Sequence, residues 1–197
     1  MKKLHVKVTF TETLLGTANA NPDIHKEFIA SKAPDAPSRE EEVAAIGVEA
    51  AEEKAMTVFH KEDGKPFLFD YMWKGFFKDA CGMLRRADGF KSKNLKAYKK
   101  EIDGLIFVEP RKIFLELPEG EEIGELQRPL RASTAQGERI ALAHSETVPE
   151  GTTQEFDVII LRDELEDYVR EWLEYGAIRG TGQWRNSGAG RFEVEIS

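Results

Sequence analysis

The residues best suited to chemistry lie close to the end of the chain, in Tyr175-Gly176-Ala177-Ile178-Arg179-Gly180-Thr181-Gly182-Gln183-Trp184-Arg185-Asn186-Ser187-Gly188-Ala189-Gly190-Arg191-Phe192. Two Gly-x-Gly pairs, Gly180/Gly182 and Gly188/Gly190, bracket a tip of Gln183, Trp184, Arg185, Asn186 and Ser187. Glycine admits positive φ and lets another chain approach where a Cβ would stand, so such a loop can lay its own amides along a ligand backbone. Arg179, Arg185 and Arg191 offer charge to a phosphate, and Trp184 offers a flat surface to a base or sugar. The competing reading is a glycine-rich turn joining a helix to a closing strand. A second candidate set is Lys74 and Lys78, one helical turn apart, with Arg85 extending the stripe; its competing reading is a solvated helix face. Arg131 is a further candidate for phosphate contact.

These residues sit in a chain of 197 residues, 41% hydrophobic and 32% charged, which fits a globular core with room for an insertion. No apolar run is long enough to span a bilayer, and Met1-Lys2-Lys3-Leu4-His5 lacks a signal-peptide core, so a cytoplasmic protein with no membrane partner is expected. Cys81 is the single cysteine, which excludes an intrachain disulfide and a cysteine metal cluster. A net charge of −8 argues against a nucleic-acid partner, yet its distribution is uneven. Glu40, Glu41, Glu42, Glu49, Glu52 and Glu53 dominate one segment, whereas Lys65, Lys74, Lys78, Arg85, Arg86, Lys91, Lys93, Lys96, Lys99 and Lys100 outweigh Asp70, Asp79 and Asp88 in the next.

The elements that must position these groups are legible in part. Val6, Val8 and Phe10 alternate with Lys7 and Thr9, a half-buried strand that runs toward Leu14-Leu15-Gly16. Residues 19 to 64 are acidic and alanine-rich and are expected to form a helical insertion, closing on the strand-like Thr57-Val58-Phe59-His60 and a turn at Glu62-Asp63-Gly64-Lys65. From Asp70 the period changes: Met72, Phe76, Phe77, Ala80, Cys81 and Leu84 predict an amphipathic helix, and Leu95, Tyr98 and Ile102 a second, short one. Strands are expected over 105–108 and 112–117, and again where Phe156, Val158 and Ile160 alternate. A last helix follows Asp163, with Gly176 as its terminating glycine, before the closing strand 191–196. Trp73 and Trp172 are assigned to the core. The order predicts an α+β fold, ferredoxin-like in outline.

Four segments in this order resemble the RAMP superfamily, the repeat-associated RNA-binding proteins of CRISPR systems, and in particular the backbone subunits that line up along a guide RNA. They are the opening strand running into Leu14-Leu15-Gly16, Lys74-Gly75-Phe76-Phe77-Lys78-Asp79-Ala80, Glu146-Thr147-Val148-Pro149-Glu150-Gly151-Thr152-Thr153-Gln154-Glu155-Phe156, and the double Gly-x-Gly. The resemblance implies a modified ferredoxin-like, RNA-recognition-type domain over 1–197 that grips RNA by its backbone, with 19–64 in the place of a variable insertion. It implies single-stranded RNA as partner, with single-stranded DNA the alternative, and further copies of the chain or other ribonucleoprotein subunits. Where backbone subunits carry Pro-Gly-Ser-Ser before the Lys-Gly, this chain has Phe69-Asp70-Tyr71-Met72, which replaces a tight serine turn with an acid and bulky side chains.

The nucleic-acid-binding set expected from both lines is Lys74, Lys78, Arg85, Arg131, Arg179, Gly180, Gly182, Gln183, Trp184, Arg185, Asn186, Gly188, Gly190 and Arg191. No catalytic residue, metal or cofactor is assigned: His5, His25, His60 and His144 lack ligand spacing, and no P-loop, GxSxG or dinucleotide fingerprint is present. Two alternatives stand beside strand binding. One is a mobile-element or phage-borne interaction protein that docks on a defence complex through its acidic insertion. The other is an endoribonuclease using Asp23 or Asp35, the aspartates in the region where cleaving relatives carry an acid.

Overall fold

The computed structural model describes residues 1–19, 56–134 and 137–197. The chain divides into two compact units, the first made of Met1–Leu14, His60–Glu122 and Val148–Ser197, the second of Leu15–Phe59 and Ile123–Thr147. The interior of the expected helical insertion lies outside the described residues. On either side of it the chain is extended, as β2 (Leu14–Leu15) and β3 (Ala18–Asn19) before it and β4 (Thr57–Val58) and β5 (His60–Glu62) at its end.

The first unit is built on β1 (Lys2–Phe10), whose alternation buries Leu4, Val6, Val8 and Phe10 on one side. It pairs antiparallel on one flank with β11 (Thr153–Ile160) and on the other with β12 (Phe192–Ile196), and β7 (Ile106–Glu109) adds to β11, giving the order β12-β1-β11-β7. Helices α1 (Asp70–Leu84), α2 (Tyr98–Leu105) and α3 (Glu166–Arg179) complete an α+β fold. The apolar faces of α1 and α3 supply Trp73, Phe77, Trp172 and Leu173, all at 0–1% exposure, against Val6, Val8, Phe156 and Val158. Trp73 packs at 4.6 Å from the Phe156 centroid and 5.3 Å from that of Phe192, and Phe77 at 5.8 Å from Trp172. A smaller antiparallel sheet, β5-β6-β8, is formed with β6 (Lys65–Phe69) and β8 (Lys112–Phe114). The 112–117 segment is thus a shorter strand than its composition suggests, with Glu116 bridging Thr153 instead.

In the second unit β9 (Gly124–Thr134) and β10 (Gly137–Val148) form a long antiparallel hairpin, and Thr57 of β4 pairs in parallel with Ser145. Pro129 masks the strand character of β9 in the sequence. Among the described residues β9 pairs with β10 alone, an edge position of the kind where proline is tolerated. Thr57 Oγ1 and Ser145 Oγ are 2.7 Å apart, and the Phe59 N–H donates to the Glu146 carboxylate at 2.9 Å.

Gly176 does not end α3. The helix runs on to Arg179, and Gly180, at φ +72°, takes the terminating role. Gly176 is instead buried under the Phe192 ring, whose atoms stand 2.1–2.5 Å from where a Cβ would be. The residue thus serves helix-to-strand packing. In an open helix Gly→Ala stabilises by about 1 kcal/mol, so the sign of Gly176→Ala is diagnostic. We expect this substitution to lower the urea midpoint, and Phe192→Ala to cost about 3–5 kcal/mol by cavity formation.

Candidate nucleic-acid interface

At 3.6 residues per turn, Tyr71, Lys74, Lys78, Gly82 and Arg85 fall along one face of α1. The end of α2 meets the middle of this face. Lys74 Nζ donates to the Asp103 carbonyl at 3.0 Å and lies 4.8 Å from the Phe107 ring centroid, while Lys78 pairs with the Asp103 carboxylate at 2.5 Å. Burial pushes the Lys74 ammonium below its ordinary value, with Asp103 pulling the other way. At the far end the Arg85 guanidinium lies 5.1 Å from the Tyr98 ring. Tyr98 can sit there because Gly82 has no side chain: a Cβ would be 3.1 Å from its hydroxyl.

Around this junction Arg85, Arg86, Lys96, Lys99 and Lys100 are all exposed, and none of them forms an ion pair among the described residues. Their neighbours do: Lys91 holds Asp167 at 2.7 Å and Lys93 holds Asp88 at 2.6 Å. The sequence shows the basic run plainly, but it does not say which lysines are neutralised. Arg86, Lys96, Lys99 and Lys100 therefore join the site only once the pairing is known.

The glycine-rich segment has a narrow neck. The Thr181 N–H donates to the Gly190 carbonyl at 2.8 Å, and the Gly190 N–H to Thr13 at 2.9 Å. A Cβ on Gly190 would stand 2.1 Å from the Thr181 oxygen, and one on Gly180 2.5 Å from the Ala189 oxygen. These glycines let two strands of backbone touch each other. Gly182 and Gly188 take φ of +75° and +91°, and Trp184 is itself left-handed at φ +56°, half-buried, its carbonyl accepting the Ser187 N–H at 2.8 Å. Gln183 is half-buried beside it.

Asp79 gathers the arginines of this segment. Its carboxylate accepts Arg179 Nε at 2.9 Å and Arg185 Nη1 at 2.7 Å, and Arg179 Nη1 donates to the Asn186 side chain at 2.8 Å. The Asp79 carboxylate raises the Arg179 guanidinium above its already high ordinary value. Arg191 lies elsewhere, its guanidinium 3.6 Å from where a Gly188 Cβ would be, with Nε buried and without a hydrogen-bond partner among the described residues. Residue 79 lies roughly a third of a turn around α1 from the Lys74/Lys78 stripe. The structure thus joins Arg179 and Arg185 at the Asp79 carboxylate, with Asn186 held by Arg179, and carries Lys74 and Lys78 to a different residue, Asp103, by its carbonyl and its carboxylate respectively. Arg131 belongs to the second unit, where β9 sets it opposite Ile140. Asp23 and Asp35 lie outside the described residues.

The outward face of the large sheet has the opposite character. Lys3, His5 and Lys7 of β1 face Glu155 and Asp157 of β11, with Glu193 and Glu195 of β12 and Glu109 of β7 around them. The Asp157 carboxylate is bonded by Lys3 Nζ at 2.8 Å and by His5 Nδ1 at 3.0 Å, and these contacts hold it below its usual range. The carboxylates outnumber the bases, so a phosphate chain is repelled from this face. The cationic surface of the unit is the one formed by α1 and α2.

Among the described residues no group of three His, Cys, Asp or Glu is placed to hold a metal ion, and no helix is long and apolar enough to cross a membrane. Cys81 is fully buried, and burial pushes its thiol to about 11.

The sequence matches no protein-family model and no curated protein. The structure does have solved neighbours. A chain in the cryo-EM structure of the Type III-B Cmr-beta bound to cognate target RNA superposes with a TM-score of 0.54 at 12% identity, over 98% of this chain and 60% of that one. The two share a fold. A chain of a Type IV-B CRISPR complex is also similar, with a TM-score of 0.48 at 12% identity, over 100% of this chain and 90% of that one. This chain spans 60% of the length of the Cmr-beta chain it matches.

Two outcomes follow from this geometry. Asp79→Ala removes charged hydrogen bonds worth about 1.5–3 kcal/mol each, so hydrogen exchange over residues 181–190 is expected to accelerate, with the β1 amides unchanged. Cys81 is expected to resist alkylation at pH 8, where a thiol of pKa near 11 is almost wholly protonated, and to react fully once the chain is unfolded.

Proposed function

We propose that this chain is a non-catalytic, RAMP-like subunit that holds a single strand of RNA by its backbone within a CRISPR-type ribonucleoprotein. The observation that carries the reading is the cluster Arg85, Arg86, Lys96, Lys99 and Lys100, exposed and without carboxylate partners among the described residues, on a protein of net charge −8. Unneutralised cations gathered on one surface of an acidic protein are what a polyanion requires. The strand order β12-β1-β11-β7, with α1 leading into β7 by way of α2 and α3 leading into β12, supports a modified ferredoxin-like arrangement. The fold shared with a chain of an assembly bound to cognate target RNA supports RNA as the strand. In this reading 1–197 is one domain into which 19–64 are inserted, and further copies of the chain or other complex subunits are its protein partners.

The division of labour follows from the pairing. Arg85, Arg86 and the α2 lysines meet phosphates directly. Lys74 and Lys78 already have a partner in Asp103 and contribute when a strand competes for them. Arg179, Arg185 and Asn186 fix the glycine-rich segment to α1, and Gln183, Trp184 and Arg191 face the strand from that side, with Gly180, Gly182, Gly188 and Gly190 shaping the loop. Contacts of this kind read the backbone and are indifferent to sequence.

The test is fluorescence anisotropy on a labelled single-stranded oligouridylate across a salt series. Wild-type protein is expected to bind with an affinity that falls steeply with salt, and to carry RNA through purification. Arg85→Glu/Lys99→Glu/Lys100→Glu, all surface changes, is expected to lower the slope of log affinity against log salt by roughly 0.7 for each phosphate contact removed. A nucleic-acid-free preparation that binds no single strand at low salt overturns the proposal.

A further inference from the structure

Phe69-Asp70-Tyr71, where α1 begins, is built into a surface of a different kind. On the β5-β6-β8 sheet, His60, Phe67 and Phe69 form an aromatic row, with centroids 5.8 Å apart for His60–Phe67, 4.8 Å for His60–Phe69 and 5.1 Å for Phe67–Phe69. The row is extended past the sheet by Tyr71, whose ring lies 5.3 Å from that of Phe69 at an interplanar angle of 17°. Arg111 completes it, with its guanidinium 5.1 Å from the Phe69 centroid and 5.3 Å from that of Tyr71. Asp70 locks this arrangement: its carboxylate accepts the Tyr71 N–H at 2.8 Å and also binds Arg111 Nη1.

The row grades from buried to open. Phe67 is 4% exposed and Phe69 half-buried, whereas Tyr71 is 49% exposed and the Arg111 side chain 63%. A half-exposed aromatic ring held by a nearly parallel neighbouring ring, a guanidinium over the pair and a backbone hydrogen bond at its own N–H is preorganised to receive another planar group. Tyr71 is also the first residue of the α1 stripe that continues through Lys74 and Lys78 to Arg85, about 21 Å further along at 1.5 Å per residue. An occupant with both flat rings and evenly spaced negative charge matches a stack at one end and cations along the rest.

We propose that Tyr71, backed by Phe69 and flanked by Arg111, is a stacking site for one base of a single-stranded nucleic acid. The site rests on the strand-binding reading for its biological occupant, but its chemistry can be tested alone. The probe is adenosine monophosphate, titrated into protein carrying ring-labelled tyrosine and followed by NMR, with Tyr71→Leu identifying the Tyr71 resonance. Stacking is expected to move that resonance upfield in a saturable way, and Tyr71→Phe is expected to keep the nucleotide affinity. An unmoved Tyr71 resonance overturns the stacking site, whatever the oligouridylate titration shows.

A second arm compares an oligouridylate with an abasic strand of the same length. Wild type is expected to prefer the base-bearing strand, and Tyr71→Leu to reduce that preference about tenfold while leaving the salt slope unchanged. An unaltered preference overturns the proposal even if strand binding itself is strong. A Tyr71 shift with AMP in a protein that binds no strand supports the stacking site and sinks only the strand-binding reading.

Discussion

The ring of Phe192 is where the first unit is pinned. It has no exposure to solvent, meets Phe10 of β1 at 6.1 Å, and touches Trp73 and Phe76 of α1 at 5.3 Å each, while its far side fills the gap left by Gly176 on α3. A single side chain on the closing strand thus fixes the distance between both long helices and the sheet. The consequence reaches the surface directly. Arg191, immediately before this ring, and Arg179, at the end of the helix that receives it, are set in place by the same packing.

Electrostatics then sorts what the packing has placed. The residues that look alike in the sequence as basic separate into two classes by their carboxylate partners: Lys78, Lys91, Lys93, Arg179 and Arg185 are committed to Asp103, Asp167, Asp88 and Asp79. Such pairs are worth little to stability where exposed. Their effect is on where positive potential survives, which is around Arg85, Arg86 and the lysines of α2.

Much of this was readable from residue patterns, and what was not has definite causes. The alternation of β1 and β11 and the three-four spacing of α1 announce themselves because each element has one wet and one dry face. Gly176 is ambiguous in the sequence because a glycine near a helix end carries the same mark whether it caps the helix or admits a neighbour's ring. The β9/β10 hairpin was hidden by Pro129 and by polar residues along Glu125–Arg128. In the candidate interface the Gly-x-Gly signal was visible, but its glycines at the neck serve contact between two stretches of their own backbone. Nothing in the sequence marks Asp79 as the group that gathers the arginines, since pairing across 100 and 106 residues of chain has no local signature. The Phe69-Asp70-Tyr71 segment stood out in the sequence only as a departure from the RAMP pattern, and what it builds depends on Arg111, 41 residues beyond Asp70.

The opposed signs of the acidic sheet surface and the cationic helix surface give this unit a permanent electric moment across its thickness. In the field of a long polyanion such a body experiences a torque before it makes any contact, and it arrives with α1 and α2 foremost. Under the strand-binding proposal, orientation would then be biased during diffusion, ahead of any contact.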